Sequence, residues 1–393
     1  METSYRFEPC FPETFGSEIL DLVAAIARKS AALDEKLDPR TACSLADLVR
    51  VMSSFYSNLI EGHNTLPREI EAALENEFSQ ETDLRNRQFE ARNHVRLQEA
   101  VDRKFADGTL PEPASPSFLN WLHAEFYDDM PADFRIVRST TRTLDIVPGR
   151  MRRSPEEEVP VGRHIPPSPQ YVAEFMHRFA ERYAFAKMGD GEKIIAIASA
   201  HHRFNYIHPF VDGNGRVSRL MSHAMTLQAG IGAHGLWSVS RGLARGLDSR
   251  KEYKAMMEHA DAPRQGDLDG RGNLSERALK DFIAWFLKIM VDQLDFMTKL
   301  YDLPALAGRL HRLAEIEWRP EAGPLLEYVL RRGEVPRGEA SHVTGLGVRS
   351  TSDLVQRLVK DGILQSETPK SPLFLRFKAD FSDVLFPRLF PET

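Results

Sequence analysis

Apolar positions recur every three or four residues along most of the chain, the spacing of helices that bury one face. Ile19, Leu20, Leu22, Val23 and Ile26 form one such face, and Leu45, Leu48, Val49, Met52, Phe55 and Tyr56 form another. A third helical stretch runs from Arg85 to Val101. Gly108, Pro111, Pro113 and Pro116 then read as a loop before a helix from Phe118 to Tyr127. Between Arg135 and Pro169 the pattern shifts to β-branched and Pro/Gly residues. Val159, Val161 and Ile165 alternate there around Gly162 and predict a short exposed hairpin, a flap. Helical spacing returns over Tyr171 to Ala186 and Glu192 to Phe204, stops at His208 to Gly215, and resumes from Val217 to Ala229. Leu279, Phe282, Ile283, Phe286, Met290 and Leu294 build a further helix with Ser275 as its N-cap. Pro320, Gly323 and Pro324 mark a joint. Beyond it come three short helices, approximately Leu325 to Arg332, Arg337 to Thr344 and Ser350 to Asp361. Gly362 and an alternating stretch, Ile363 to Phe377 around Pro369, follow. The expected fold class is mainly α, with a short β-hairpin flap and a C-terminal winged helix-turn-helix.

Composition narrows this only a little. At ~150 residues per domain a chain of 393 residues holds two to three domains. With 42% hydrophobic and 27% charged residues it is ordinary globular material, which excludes a disordered or collagen-like chain. Cys10 and Cys43 are the two cysteines, too few for a disulfide scaffold or a Cys-rich zinc site, and they fit a reducing, cytoplasmic location. Met1 to Phe11 lacks the charged-then-apolar order of an export signal, and the run Phe282 to Val291 is short and broken by Lys288, so neither export nor a membrane span is expected. The net charge of −6 weighs against protein-wide attraction to nucleic acid but leaves room for a local basic face.

The chemistry concentrates in the break between two helices, His208-Pro209-Phe210-Val211-Asp212-Gly213-Asn214-Gly215-Arg216-Val217-Ser218-Arg219. Glycines flanking Asn214 let backbone N–H groups converge, and the helix that follows adds its positive end, so an anion is favoured. Arg216 and Arg219 are one turn apart and are placed to grip a polyphosphate. Asp212 offers Mg²⁺ a hard oxygen, and His208 is a base with a near-neutral pKa beside the anion site. An Asn-Gly or Asp-Gly pair alone is usually a turn, and a lone histidine is usually structural. The full string at this spacing across a helix break outweighs those readings.

The string resembles the signature H-P-F-x-D-G-N-G-R-x-x-R of the Fic family at every defining position. Val161-Gly162-Arg163-His164-Ile165-Pro166-Pro167 is similar to that family's flap, and Ala200-His201 with Phe204 to its pre-motif helix; the likeness spans roughly Pro111 to Asp261. It implies a Fic-type helical core and transfer of AMP from ATP to a Ser, Thr or Tyr hydroxyl of a target protein, with release of pyrophosphate. His208 would be the catalytic base and Asp212 the Mg²⁺ ligand. Gly213, Asn214 and Gly215 would form the anion hole, and Arg216 and Arg219 would hold the phosphate tail. Val161, Gly162, Arg163 and His164 would border the nucleotide and clamp the target, and Tyr253, alone where relatives often pair two tyrosines, would lie near adenine.

Ser57-Asn58-Leu59-Ile60-Glu61-Gly62 resembles the family's inhibitory motif [S/T]-x-x-x-E-[G/N]. Ser57 and Glu61 are one turn apart on one face, and the implied role is that Glu61 pairs with Arg219 and blocks a productive ATP pose. The same glutamate would also suit removal of AMP, so the direction of transfer stays open. The expected domains are 1–105, helical and carrying the inhibitory motif; 106–302, the Fic domain; 303–322, a linker helix; and 323–393, the winged helix.

From Glu334 to Lys378 the C-terminal module has seven Lys/Arg against five Asp/Glu, a thin footprint for DNA, although Arg349, Arg357 and Lys360 fall on or beside its third helix. Docking of a protein is weighed at least equally. Expected partners are therefore a hydroxyl-bearing target protein, DNA or protein at the winged helix, and a second copy in a homodimer, with no membrane. Two rivals remain. One is a metal phosphohydrolase using His201, His202, His208 and Asp212, although adjacent helical histidines point about 100° apart. The other is a nucleotide-sensing DNA-binding regulator, which would need phosphate contacts but no base.

Overall fold

The computed structural model describes residues 2–35, 37–138 and 142–391. Its first helices are α1 (Ser17–Asp34), α2 (Pro39–Ile60), α3 (Pro67–Leu74), α4 (Thr82–Ala106) and α5 (Pro116–Tyr127). A two-stranded antiparallel hairpin, β1 (Ile136–Arg138) with β2 (Thr143–Asp145), precedes α6 (Val172–Arg182), α7 (Asp190–Ile207) and α8 (Asn214–Gln228). Then come α9 (Val239–Arg245), α10 (Glu252–Ala260), α11 (Glu276–Leu300) and α12 (Leu303–Glu317). The C-terminal part holds α13 (Ala322–Arg332), β3 (Glu334–Val335), α14 (Ala340–Thr344), α15 (Val348–Asp361), β4 (Leu364–Gln365), β5 (Leu373–Leu375) and α16 (Ser382–Leu385).

The helix starts follow capping chemistry. Asp38 accepts from the Arg40 amide with Pro39 at the first position of α2, and Ser115 accepts from Phe118 N with Pro116 opening α5. Ser275 caps α11 through the Ala278 amide, as the sequence indicates. At the centre, α7 is buried on every side from Ile194 to Phe204 and packs on α8; α4 and α5 flank α8, and α11 lies between α7 and α1. A helix apolar all round belongs in the middle of a fold. Buried hydrophobic residues form one cluster from Phe7 to Leu389, so the N-terminal helices and the C-terminal part share a core with the middle of the chain. Among the described residues, no helix is long and apolar enough to cross a membrane.

Several elements differ from expectation for local reasons. The flap is a single antiparallel bridge, Val161 with His164, closed by their two backbone hydrogen bonds over a turn with Gly162 at φ +60°; Val159 and Ile165 take no part in it. The β-branched pattern found partners earlier instead, in β1 and β2. Helix α6 stops at Arg182 because Tyr183 is buried and its hydroxyl donates to the Cys10 carbonyl, turning the chain inward. Helix α3 leaves little periodic signal in the sequence because it is two turns long and buries little beyond Ile70 and Ala73. In the C-terminal part the second helix starts only at Ala340. Arg337, before it, donates to Ser371 O and Ser366 Oγ and so ties the chain to the β4–β5 hairpin. That hairpin follows α15 and forms an antiparallel sheet with β3, which lies between α13 and α14, in the order β3-β5-β4. Helix α12, in the segment read as a linker, packs against α13 and α16.

Candidate active site

Helix α7 ends at His208, which adopts a left-handed backbone (φ 50°, ψ 59°) and so turns the chain sharply into the loop. Buried Arg152 fixes this corner: its guanidinium donates to the carbonyls of His208 (2.8 Å), Pro167 (3.1 Å) and Ile207 (3.2 Å), and its amide donates to Pro209 O. The His208 imidazole titrates far below its usual value, at about 3, because burial disfavours the charged ring and Arg152 repels it, against the pull of Asp212. A neutral ring is one that can accept a proton.

The loop is shaped from within. Asn214 accepts from Phe210 N and donates to Phe210 O, both at 2.9 Å, so its side chain closes the turn rather than pointing to an open site. Gly213 lies at φ +81°, and a Cβ there would approach the Tyr127 hydroxyl to 2.9 Å. The amide ends of α8 therefore remain the candidate anion-binding element.

Asp212 is oriented by α5. The Tyr127 hydroxyl donates to Asp212 Oδ2 at 2.8 Å. One turn earlier, His123 Nδ1 accepts from Gly149 N at 2.8 Å, which leaves the proton on Nε2 to donate to Asp212 O at 3.2 Å. Burial raises the Asp212 carboxyl, but the Arg216 charge, the Tyr127 hydroxyl and the Gly213 amide outweigh it and hold the group below its ordinary value. The Asp212 carboxylate, with 49% of its side chain exposed, fits Mg²⁺, which takes one or two carboxylates and completes its shell with phosphate oxygens and water. Among the described residues there is no cluster of three or more acids, histidines or cysteines that would form an all-protein metal cage.

The two arginines of the loop-helix segment have different neighbours. Arg216, expected to grip phosphate, donates instead to Glu90 Oε1 on α4 at 2.7 Å, with 5% of its side chain exposed. Glu90 also accepts from His63 Nδ1 at 2.5 Å, joining the turn after α2 to the same cluster. Arg219 is 1% exposed and is held by α2: Nε to Ser57 Oγ (2.9 Å), Nη2 to Ser57 O (3.2 Å) and Nη2 to Glu61 Oε1 (2.6 Å). Burial would raise the Glu61 carboxyl; Arg219 and then Arg216 bring it below the ordinary value, so it is charged at neutral pH. A Cβ on Gly215 would run into the Glu61 carboxylate, which therefore lies in the space over the first turn of α8.

Of the outlying predicted residues, Tyr253 comes close: its hydroxyl bonds His201 Nε2 at 2.8 Å and its ring stacks on Trp285 beside Arg219. His164 donates to Tyr206 O at 2.7 Å, and Arg163 is exposed at the tip of the flap. His201 also meets Ser222, and His202 meets Met257 O and Asp261, so neither turns toward Asp212 as a shared ligand set would require. Sequence reasoning missed Arg152, His123, Tyr127, Glu90 and His63. The i, i+4 pair His123 and Tyr127 on an otherwise apolar helix was the one signal available.

A neutral histidine at the end of α7, an acid four residues on, and two arginines on the buried helix that the glycines open form a candidate anion-binding helix-loop-helix centre. Residues 113–226 match the Fic/DOC family. That segment, under a third of the chain, is similar to Fic family proteins. Over 82 residues the chain is 40% identical to the protein adenylyltransferase Fic of Drosophila mojavensis and, equally, to that of Drosophila melanogaster; the match spans 21% of this chain and 16% of the length of each of those relatives. Its fold is similar to that of a Fic family protein from Desulfovibrio desulfuricans, with TM-score 0.54 at 17% identity over 94% of this chain and 99% of that one. A Fic domain containing signaling protein from Bacteroides thetaiotaomicron aligns with TM-score 0.51 at 18% identity, over 72% of this chain and 97% of that one. At such identities the likeness is one of fold.

Proposed function

We propose that this chain transfers AMP from ATP to a Ser, Thr or Tyr hydroxyl of a target protein, and that Glu61 holds the activity down. One observation carries the reading: the Glu61 carboxylate lies over Gly215 and on Arg219, the place and the cation that an anionic tail would need. Neutral His208 takes the proton of the target hydroxyl as its oxygen bonds to the α-phosphorus. The bond to the bridging β-phosphate oxygen breaks, and pyrophosphate leaves with that electron pair. The α8 N-terminus and Arg219 stabilise the charge on the phosphates, so catalysis is positioning and electrostatics. Asp212, held by Tyr127, would hold Mg²⁺, which supplies charge neutralisation on the phosphates when bound. Val161 to His164 present the exposed edge to which a target strand adds, and Tyr253 borders the base.

The C-terminal module is read as a winged helix that docks protein in preference to DNA. Arg357, counted for a DNA-reading face, donates to Glu317 O at 2.9 Å and pairs with Asp361, which leaves Arg349 and Lys360 on the exposed surface.

The test is incubation of wild type, Glu61→Gly and Glu61→Gly/His208→Ala with cell lysate and labelled ATP. Labelled proteins should increase with Glu61→Gly and vanish with the double variant. Equal labelling by wild type and Glu61→Gly would refute autoinhibition, and labelling that survives His208→Ala would refute the base.

A further inference from the structure

Helix α2 is held on both sides. At 100° per residue, Ser57 and Glu61 share one face, and Phe55 and Leu59 share another about 200° away. The first pair meets Arg219. The second faces the C-terminal segment: the Phe390 ring stands edge-on to Phe55 at 5.6 Å, and Leu389, fully buried, accepts from the Tyr56 hydroxyl at 2.9 Å. Buried Arg241 donates to Arg388 O at 2.9 Å, anchoring the same segment to α9. The helix start is tied as well, since Thr41 Oγ1 donates to Leu330 O on α13 and Arg40 pairs with Glu367 while lying over the Phe374 ring of β5. Ala379 N donates to Glu71 on α3, immediately after the inhibitory turn.

We propose that the C-terminal module is a control element of this protein, whose segment 386–391 braces α2 and so keeps Glu61 on Arg219. This rests on the autoinhibition reading of Glu61 and assigns the module a function independent of any DNA. The physical reason is the direction of the contacts. The body of α2 packs on α4 and α9, but for its last turn to tilt away from α8 and free Arg219 it must move toward Phe390 and Leu389, which close that side. A grooved surface of 720 Å³ remains beside this brace, lined among others by Leu59, Arg68, Arg250 and Phe390, so the segment has room to shift.

The full chain with Phe390→Ala, and separately with Tyr56→Phe, tests this. Each is compared with wild type and Glu61→Gly for AMP labelling and for amide hydrogen exchange across residues 53–61, with thermal melting to verify folding. Losing an edge-on aromatic pair shifts an equilibrium by about threefold to tenfold. Phe390→Ala should therefore raise labelling by about threefold or more and speed exchange in residues 53–61, with no further gain on top of Glu61→Gly. If both variants fold and keep wild-type exchange and labelling while Glu61→Gly rises, the brace is refuted. If Glu61→Gly itself gives no rise, the autoinhibition reading has failed. Exchange then decides the brace alone: faster exchange upholds it and unchanged exchange overturns it.

Discussion

Ser57 binds Arg219 twice, accepting from Nε through its hydroxyl at 2.9 Å and from Nη2 through its carbonyl at 3.2 Å. Only the hydroxyl bond depends on the side chain. Hydrogen bonds to charged groups contribute about 1.5–3 kcal/mol, and the backbone contact and Glu61 remain in Ser57→Ala. That variant is expected to raise AMP labelling by about threefold to tenfold, below the gain from Glu61→Gly. Equal gains from the two variants, measured side by side with labelled ATP, would show that the hydroxyl rather than the carboxylate holds the arginine.

The depressed titration of His208 sets a pH profile. An ordinary histidine, at 6.5, loses most of its basic form as pH falls to 5.5, but His208, at about 3, stays neutral across that range. In a Glu61→Gly background, transfer should hold level from pH 8 to pH 6, and an acid limb with a midpoint near 6.5 would contradict the depressed titration rather than the base role. General base catalysis contributes ~10²–10⁴-fold, so His208→Ala should lose that much rate while still binding ATP.

Tyr127 acts through Asp212. Removing its hydroxyl frees the carboxylate to rotate and leaves the acid closer to Arg216, whose Nη1 is already 3.9 Å away. Tyr127→Phe is expected to raise the Mg²⁺ concentration for half-maximal transfer by about tenfold or more, on the same hydrogen-bond scale, while rate at saturating metal changes little. Equilibrium binding of Mn²⁺ in the presence of ATP gives the second readout, and an unchanged metal titration in both would remove Tyr127 from the positioning role.

Glu71 makes stability depend on pH. Burial pushes its carboxyl from 4.5 up to about 7, more than the bond from Ala379 N offsets. Between those values the folded chain keeps a proton that the unfolded chain has lost, so this group weakens folding as pH rises, and the effect is complete above about 7. Glu71→Gln should melt higher than wild type at pH 8 and level with it below about pH 4.5. A melting difference that is the same at both pH values would mean that the carboxyl is not the cause.

The helices that enclose the site were legible because each buries one face over several turns, and the α7–α8 break was legible because His208, Asp212, Gly213, Gly215 and Arg219 sit at fixed spacing in consecutive residues. The Ser57–Glu61 turn was readable for the same reason. What stayed hidden depends on side chains from distant segments. Nothing in the spacing around Arg216 tells that Glu90, 126 residues earlier, takes its guanidinium. Nothing in the local sequence marks Arg152, yet it is buried and its guanidinium donates to carbonyls around the His208 corner. The flap shrank to one bridge because alternation predicts strand faces but not whether a neighbouring strand is present.

Tyr56 and Leu389 are 333 residues apart in sequence. A ribosome therefore finishes the whole run from His208 to Arg219 well before it makes the segment that meets Tyr56. On the proposed reading the transfer machinery would precede its full restraint during synthesis, and a chain stopped short by a nonsense codon or a protease near residue 380 would carry Glu61 without Leu389 and Phe390 behind it. Damage near residue 390 would then register as a change in control far back in the sequence, at the loop before α8.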